Sequence, residues 1–254
     1  MDVVATLALG LVTGILSGMF GVGGAVVSTP GIRALGASPL EAVGTTLPAI
    51  IPSAVSGTLR YQREGLIDWR IVGWVSACGA AVAVAASLAS HAVPGDGGAL
   101  MIATAGVIAF TSYRVLRRHE PEEADPDAIA RATPARLAVA GAGAGVMSGL
   151  LGIGGGTVLV PLFLEWLRLP IKKTVASSLA CVGILAVPST VSHWLLGDID
   201  WAFALPLAVT VVPGARLGAA LAIRAQDRTL RLAVAVGLAL LAAVYAAREV
   251  ALLL

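Results

Sequence analysis

Two stretches, "SGMFGVGGA" from Ser17 to Ala25 and "SGLLGIGGG" from Ser148 to Gly156, hold the residues best suited to chemistry. That chemistry is binding rather than bond making. Gly21, Gly23 and Gly24 in the first copy, and Gly152, Gly154, Gly155 and Gly156 in the second, leave the backbone bare. Where such a turn opens a helix, the first amide N–H groups lack internal acceptors and the helix dipole adds partial positive charge. Glycines let an anion approach those amides directly. Paired hydroxyls follow each turn, Thr45-Thr46 and Ser177-Ser178, and can donate to oxyanion oxygens. Helical hydroxyls also bond back to their own backbone, so both roles stand. Ser53, Ser56, Ser189 and Ser192 have weaker claims to the same role. Arg216, in "VVPGARLGAAL", is a cation inside an apolar segment, where charge is costly and usually functional. It reads either as an oxyanion ligand or as a structural residue that snorkels or pairs with Glu165.

Other chemistries find little support. The apolar segments hold no pair of carboxylates, no Ser–Lys or Ser–His arrangement and no His-Glu-x-x-His. No Walker loop announces a nucleotide. The expectation is no enzyme, no cofactor, no metal site and no nucleic-acid partner. Cys78 and Cys181 read as buried thiols, and His193, near a segment end, as an interfacial histidine without a ligand-spaced companion.

The elements that must position these residues are membrane helices. Of 254 residues 57% are hydrophobic and 13% charged, against about 25% charged in a soluble chain. Mean hydropathy is +0.90. No charge falls between Val3 and Ile32 or between Leu137 and Leu164, and runs of about 18 or more are spanning candidates. Apolar segments fall at about 3–36, 42–59, 71–93, 97–113, 137–167, 174–196, 201–223 and 232–247. Four precede and four follow the polar stretch "RVLRRHEPEEADPDAIARATPAR". The expected organisation is an N-terminal transmembrane repeat over 1–118, a polar linker over 119–133 and a C-terminal transmembrane repeat over 134–254. The N-terminus lacks a basic region and a small-residue cleavage site, so the first segment is expected to be retained.

The halves repeat. At a shift of 131, Gly10, Gly14, Ser17, Gly18, Gly21, Gly23, Gly24, Val27, Pro30 and Pro39 fall on Gly141, Gly145, Ser148, Gly149, Gly152, Gly154, Gly155, Val158, Pro161 and Pro170. At 132, "AVGTTL" from Ala42 meets "TVASSL" from Thr174, and Asp68-Trp69 meets Asp200-Trp201. Matched serines, prolines and an Asp-Trp pair mark an internal duplication. Gly10, Gly14 and Gly18, with Gly141, Gly145 and Gly149, suit close helix packing instead.

The first segment of each half is too long for one span. Thirty residues of helix reach about 45 Å, against a hydrocarbon core of about 30 Å. Glycines in the middle and a proline beyond predict a broken helix or a hairpin that dips in and returns. Basic clusters follow the second, fourth, fifth and seventh segments, at Arg60, Arg63 and Arg70, at Arg114 to Arg118, at Arg168 to Lys173, and at Arg224 to Arg231. With hairpins in segments one and five, all of these clusters share the cytoplasmic side, as the positive-inside rule asks. Three crossings per half make the repeat inverted, an arrangement that places half-helix N-termini at the midplane of transporters.

The motif "SGLLGIGGGTVLVP" from Ser148 to Pro161, its copy "SGMFGVGGAVVSTP", and the "GTT" and "ASS" steps resemble the TauE/SafE sulfite exporter family, also called the 4-toluenesulfonate uptake permeases. The likeness covers both halves. It implies transport of small sulfur-containing anions, such as sulfite or organosulfonates, or of other organic acids across the cytoplasmic membrane. Ala25, where a third glycine is usual, and Gly44, where alanine is usual, depart from the family pattern. The expectation is therefore an all-α, multi-pass inner-membrane secondary transporter, an exporter of a sulfur anion, with the lipid bilayer and a homodimer as candidate partners. An anion channel, or an importer of another organic acid, remains the alternative.

Overall fold

The computed structural model describes residues 3–90, 98–117 and 133–253. Most of the expected linker therefore lies outside the described residues. Among those described there are ten helices and no strand. They are α1 (Val3–Phe20), α2 (Ala25–Ala34), α3 (Pro39–Gln62), α4 (Trp69–Ser90), α5 (Gly98–Arg117), α6 (Pro134–Leu151), α7 (Gly156–Glu165), α8 (Ile171–Leu196), α9 (Trp201–Arg224) and α10 (Asp227–Leu253). Among the described residues seven of them, α1, α3, α4, α6, α8, α9 and α10, are long and apolar enough to cross a membrane, whereas α2 and α7 have 10 residues each.

Each long first segment is broken where the glycines fall. Gly21 and Gly23, and Gly152, Gly154 and Gly155, adopt φ between 65° and 77°. That left-handed region costs an ordinary residue about 1–2 kcal/mol. The prolines expected to share in the break do not. Pro30 and Pro161 sit inside α2 and α7, each at the sixth residue. A proline there only frees the carbonyl four residues earlier. For Pro161 that carbonyl belongs to Thr157, and the Thr111 hydroxyl donates to it at 2.7 Å.

The remaining boundaries follow local signals. Ser38 and Glu41 close a capping box on α3, with Glu41 N–H donating to Ser38 Oγ at 3.3 Å and Ser38 N–H to Glu41 Oε2 at 2.9 Å. Asp200 caps α9 by accepting from Ala202 N–H at 2.8 Å. Gly197, left-handed at φ 82°, ends α8 in a Schellman turn, with Asp198 N–H donating to His193 O at 3.0 Å.

Packing exchanges helices between the repeats: α1 lies along α9, α6 lies along α4, and α3 meets α8. The glycine ladders make the first two pairings. A methyl added to Gly14 would lie 2.5 Å from Val211 O, and one on Gly18 would collide with Ala215 O. Likewise a methyl on Gly145 would strike Gly79 O, and one on Gly149 would strike Ala83 O. The ladders rise in step, 14 to 18 with 211 to 215 and 145 to 149 with 79 to 83, so both pairs are parallel. Backbones in contact are what small residues permit in membrane helices. Helices α3 and α8 form the centre, with 67% of their apolar windows buried against 33–44% in the other spans. The outer faces show large apolar side chains, Phe110, Leu205, Val209 and Leu240 among them, as lipid contact requires. Trp69, Trp194 and Trp201 stand exposed at or near helix ends, where aromatic belts form. Cys78 and Cys181 are both free, the latter buried and the former only half-buried.

Candidate functional site

The two turns meet. A methyl on Gly156, the first residue of α7, would lie 2.5 Å from Val22 Cα and 2.6 Å from Gly21 O. One on Gly23 would stand 3.5 Å from Ile153 O. The start of α7 thus abuts the turn that leads into α2. Neither start is capped by a side chain, because Gly24 and Gly155 hold the N-cap positions. The third amide of each, Val27 N–H and Val158 N–H, donates back to Gly24 O at 2.9 Å and Gly155 O at 3.1 Å, which leaves the first two amides of each half-helix without a helical acceptor in one buried place.

Apolar side chains close over this junction. Ile50 of α3 and Val182 of α8, equivalent in the repeat, cluster with Ala25, Leu47 and Ala186. A methyl on Gly23 would lie 2.7 Å from Val182 Cγ1, and one on Gly154 2.8 Å from the same atom. Val182 therefore touches both tips at once.

Two hydroxyls without an evident signal in the sequence stand beside the turns. Thr13 Oγ1 and Thr157 Oγ1 are buried and find no hydrogen-bond partner among the described residues. Thr157 occupies the first turn of α7. Thr13 packs its methyl against the Gly24 Cα, where an added Cβ would collide. A buried hydroxyl without a partner is costly.

The hydroxyl pairs singled out in the sequence are already engaged. Thr45 Oγ1 accepts from Asp200 N–H at 2.9 Å, and its counterpart Ser177 Oγ accepts from Asp68 N–H at 3.1 Å. Each ties down the Asp-Trp corner of the other repeat. Ser178 Oγ donates to Gly21 O at 2.8 Å and so fixes the first turn. Thr46 Oγ1 donates to Val43 O at 3.0 Å and lies 3.4 Å from Thr29 Oγ1. Ser17 accepts from Ser53 at 3.1 Å, and Ser148 pairs with Ser189 at 3.0 Å, holding α1 to α3 and α6 to α8.

Arg216 is not brought to the turns. It stands exposed on α9, while its neighbours Ala215 and Gly218 face α1. Glu165 does not pair with it; the partner is Arg114 of α5. Around that pair Tyr113, Arg114, Arg117, Glu165 and Arg168 line a basic cavity of about 400 Å³ at the far end of α7 from the turn. Arg117 stacks over Tyr113, 4.7 Å from the ring centroid.

His193, expected to have no companion, has one: it is fully buried in the last turn of α8. Its Nε2 lies 3.0 Å from Gly149 O and its Nδ1 lies 2.7 Å from Asp198 Oδ2. The spacing did carry a signal: in "HWLLGD" the glycine ends the helix, and a Schellman turn folds the residue after it back onto the histidine. Tyr61, the equivalent of His193 in the first repeat, donates its hydroxyl to Gly18 O at 2.6 Å. Gly18 is in turn the equivalent of Gly149. Among the described residues no group of three metal-ligating side chains occurs.

Comparison with known proteins agrees with this architecture. A family profile described as "Sulfite exporter TauE/SafE" matches residues 6–245. The chain is 29% identical to the probable membrane transporter protein YunE of Bacillus subtilis (strain 168), over 91% of this chain and 92% of that one. It is 27% identical to a probable membrane transporter protein of Xylella fastidiosa (strain 9a5c), over 88% and 86%. To the probable membrane transporter protein MJ0441 of Methanocaldococcus jannaschii it is 22% identical, over 83% and 82%. No solved structure matches. With duplicated glycine turns, crossing helices and a profile match over nearly the whole chain, this multi-pass membrane protein belongs to the TauE/SafE sulfite exporter family of transporters.

Proposed function

We propose that the chain is a secondary transporter that exports a small sulfur oxyanion or sulfonate across the inner membrane, and that the anion binds where the two glycine turns meet. The carrying observation is the pair of uncapped half-helix starts in backbone contact, with the unpartnered hydroxyls of Thr13 and Thr157 beside them. Each such N-terminus favours a negative ligand by roughly 0.3–1 kcal/mol, or up to about 2 kcal/mol when partly buried. No acidic residue falls within either turn. A compact oxyanion suits such a place; a cation or a bulky apolar molecule does not.

On this reading the α1–α2 and α6–α7 hairpins enter from opposite membrane faces and the halves form an inverted repeat. The exchange of α1 onto α9 and α6 onto α4 supports a two-fold relation between the halves. Ile50 and Val182 then seal the site, and the hairpins must separate from them to admit the anion. The cavity of Arg114, Arg117 and Arg168 would gather anions at the cytoplasmic mouth.

Purified protein in liposomes, screened with sulfite, thiosulfate, sulfoacetate, taurine and carboxylate controls, tests the proposal. Saturable flux of at least one sulfur anion is the expected result. Carriage of choline as readily as any sulfonate would overturn it.

A further inference from the structure

Two cavities meet at Tyr113. The first is the basic one at the far end of α7, of about 400 Å³, lined by Tyr113, Arg114, Arg117, Glu165 and Arg168. Three arginines face one carboxylate there, so two positive charges are left over. Glu165 is taken by Arg114, and neither Arg117 nor Arg168 has an acidic partner among the described residues. Aromatic rings of α5 hold two of the guanidinium groups, Arg114 at 5.6 Å from the Phe110 centroid and Arg117 at 4.7 Å from that of Tyr113. The planar fork of a guanidinium matches the oxygens of a phosphate.

The second cavity is an apolar groove of about 570 Å³ between α5 and α10. Its floor is built of small residues, Gly106 and Ala109 from α5 with Ala239, Ala242, Ala243 and Ala246 from α10. A Cβ added to Gly106 would meet nothing within 4 Å, so the recess is open. Ser112 ties the two helices together by donating to Ala235 O at 2.8 Å. Along α5 the groove runs from Tyr113 to Ile102. Those eleven steps of helix rise about 16 Å, close to half of a hydrocarbon core of about 30 Å. No charge falls on α5 from Gly98 to Tyr113 or on α10 from Leu232 to Ala247. The groove is therefore apolar throughout, one leaflet deep, and opens at the arginines.

We infer that the two cavities form one binding site for an anionic glycerophospholipid, its phosphodiester among Arg114, Arg117 and Arg168 and an acyl chain in the groove between α5 and α10. The arginines alone would serve a free anion equally well. The groove decides for a lipid, because a free oxyanion has nothing to place there. On the topology proposed above the basic end is cytoplasmic, the side whose leaflet presents anionic headgroups. Lipid contact elsewhere, as at Leu205 and Val209, is made by protruding side chains with no recess or basic socket beside them. A lipid in this site joins three separate parts of the chain: Arg168 follows α7, Arg114 and Arg117 belong to α5, and the groove adds α10. None of this depends on which anion the protein carries.

Native mass spectrometry of the full chain in micelles tests the site, with dioleoyl phosphatidylglycerol, dioleoyl phosphatidylcholine or glycerol 3-phosphate added. Phosphatidylglycerol should be retained in preference to phosphatidylcholine. An arginine near the membrane surface contributes about fivefold to the affinity for an anionic lipid, so Arg117→Gln and Arg168→Gln should each lower retention about fivefold and the double variant about 25-fold. Arg63→Gln, which removes a charge outside both cavities, should leave retention unchanged. Gly106→Trp and Ala109→Trp fill the groove while every arginine stays; both should lose the phosphatidylglycerol adduct yet elute as folded protein. If one of them fails to fold, the other carries the comparison. Equal retention of the two lipids, or arginine variants that behave as wild type, overturns the inference. Three other results overturn it too. Glycerol 3-phosphate bound as tightly as the lipid, and indifferent to the tryptophans, would make this a site for free anions. A wild-type dimer that a tryptophan converts to monomer would give the groove to a second copy of the chain. Lipid retained only after Glu120, Glu122 and Glu123 are changed to glutamine would give the arginines to the acidic linker.

Discussion

Val182 makes the meeting of the turns measurable. Gly23 and Gly154 lie 131 positions apart, yet a methyl on either would come within 2.7–2.8 Å of the same Cγ1. Each alanine substitution carries two costs. The left-handed backbone, at φ 77° and 74°, costs about 1–2 kcal/mol once a Cβ is present. Overpacking against Val182 adds about 1–3 kcal/mol. Only the second cost can be relieved from outside. Val182→Ala removes the obstructing methyl, so the double variants Gly23→Ala/Val182→Ala and Gly154→Ala/Val182→Ala should each recover stability. The coupling expected for residues in direct contact is about 0.5–3 kcal/mol. Reversible unfolding in mixed micelles, run as two double-mutant cycles, measures it. Gly36→Ala is the control, since its left-handed glycine has nothing within 4 Å and only the backbone cost applies. If both cycles came out additive while each single variant was destabilised, the two tips would not share Val182 and the junction described above would be wrong.

The same geometry sets four further outcomes. Gly18→Leu and Gly149→Leu should abolish folded protein, because both seams put backbone where the side chain would go; Gly73→Leu, with open space around it, should give normal yield by size-exclusion chromatography. Thr157→Val should keep or slightly raise thermal stability, since it removes a buried hydroxyl without a partner, yet weaken anion affinity in the flux assay. Arg216→Gln should leave anion affinity unchanged, because that side chain points away from the turns; a collapse of affinity with normal folding would restore it as a ligand. Cysteines at Arg63, Lys172 and Arg228 should be labelled from the cytoplasm and cysteines at the exposed Gly36 and Gly197 from outside, and labelling of 172 and 63 from opposite faces would refute the paired hairpins.

What the sequence made legible was whatever depends on backbone and hydropathy. The breaks at Gly21–Gly24 and Gly152–Gly155 were readable because few residues but glycine tolerate those φ values, and the packing role of Gly18 and Gly149 because small residues recur every four positions. Side-chain partnerships were less so, since they depend on which helix lies opposite. For Thr45 and Ser177 the sequence left a ligand role and a bond to their own backbone both open, and each instead accepts from a backbone amide more than 100 residues away. Arg216 looked costly inside a hydrophobic run, and only the pairing of α9 with α1 shows that its face turns outward. The companion of His193 was missed for a local reason: the turn made by Gly197 returns the chain onto it, whereas segment ends alone suggest that the residues after the helix run off as loop.

The exchange of α1 onto α9 and of α6 onto α4 also bears on how such a chain could arise. When element one of each copy packs on element four of the other, the contact is isologous, the kind that joins two identical subunits about a two-fold axis. Each half's glycine ladder is buried by a helix of the other half. An ancestor of half the length would have met the same need with a second molecule of itself, and fusion of the two genes would have changed the connectivity without changing a single interface. The trace of that origin would be functional complementation: segments 3–117 and 133–253, made as separate chains, should assemble together and aggregate apart.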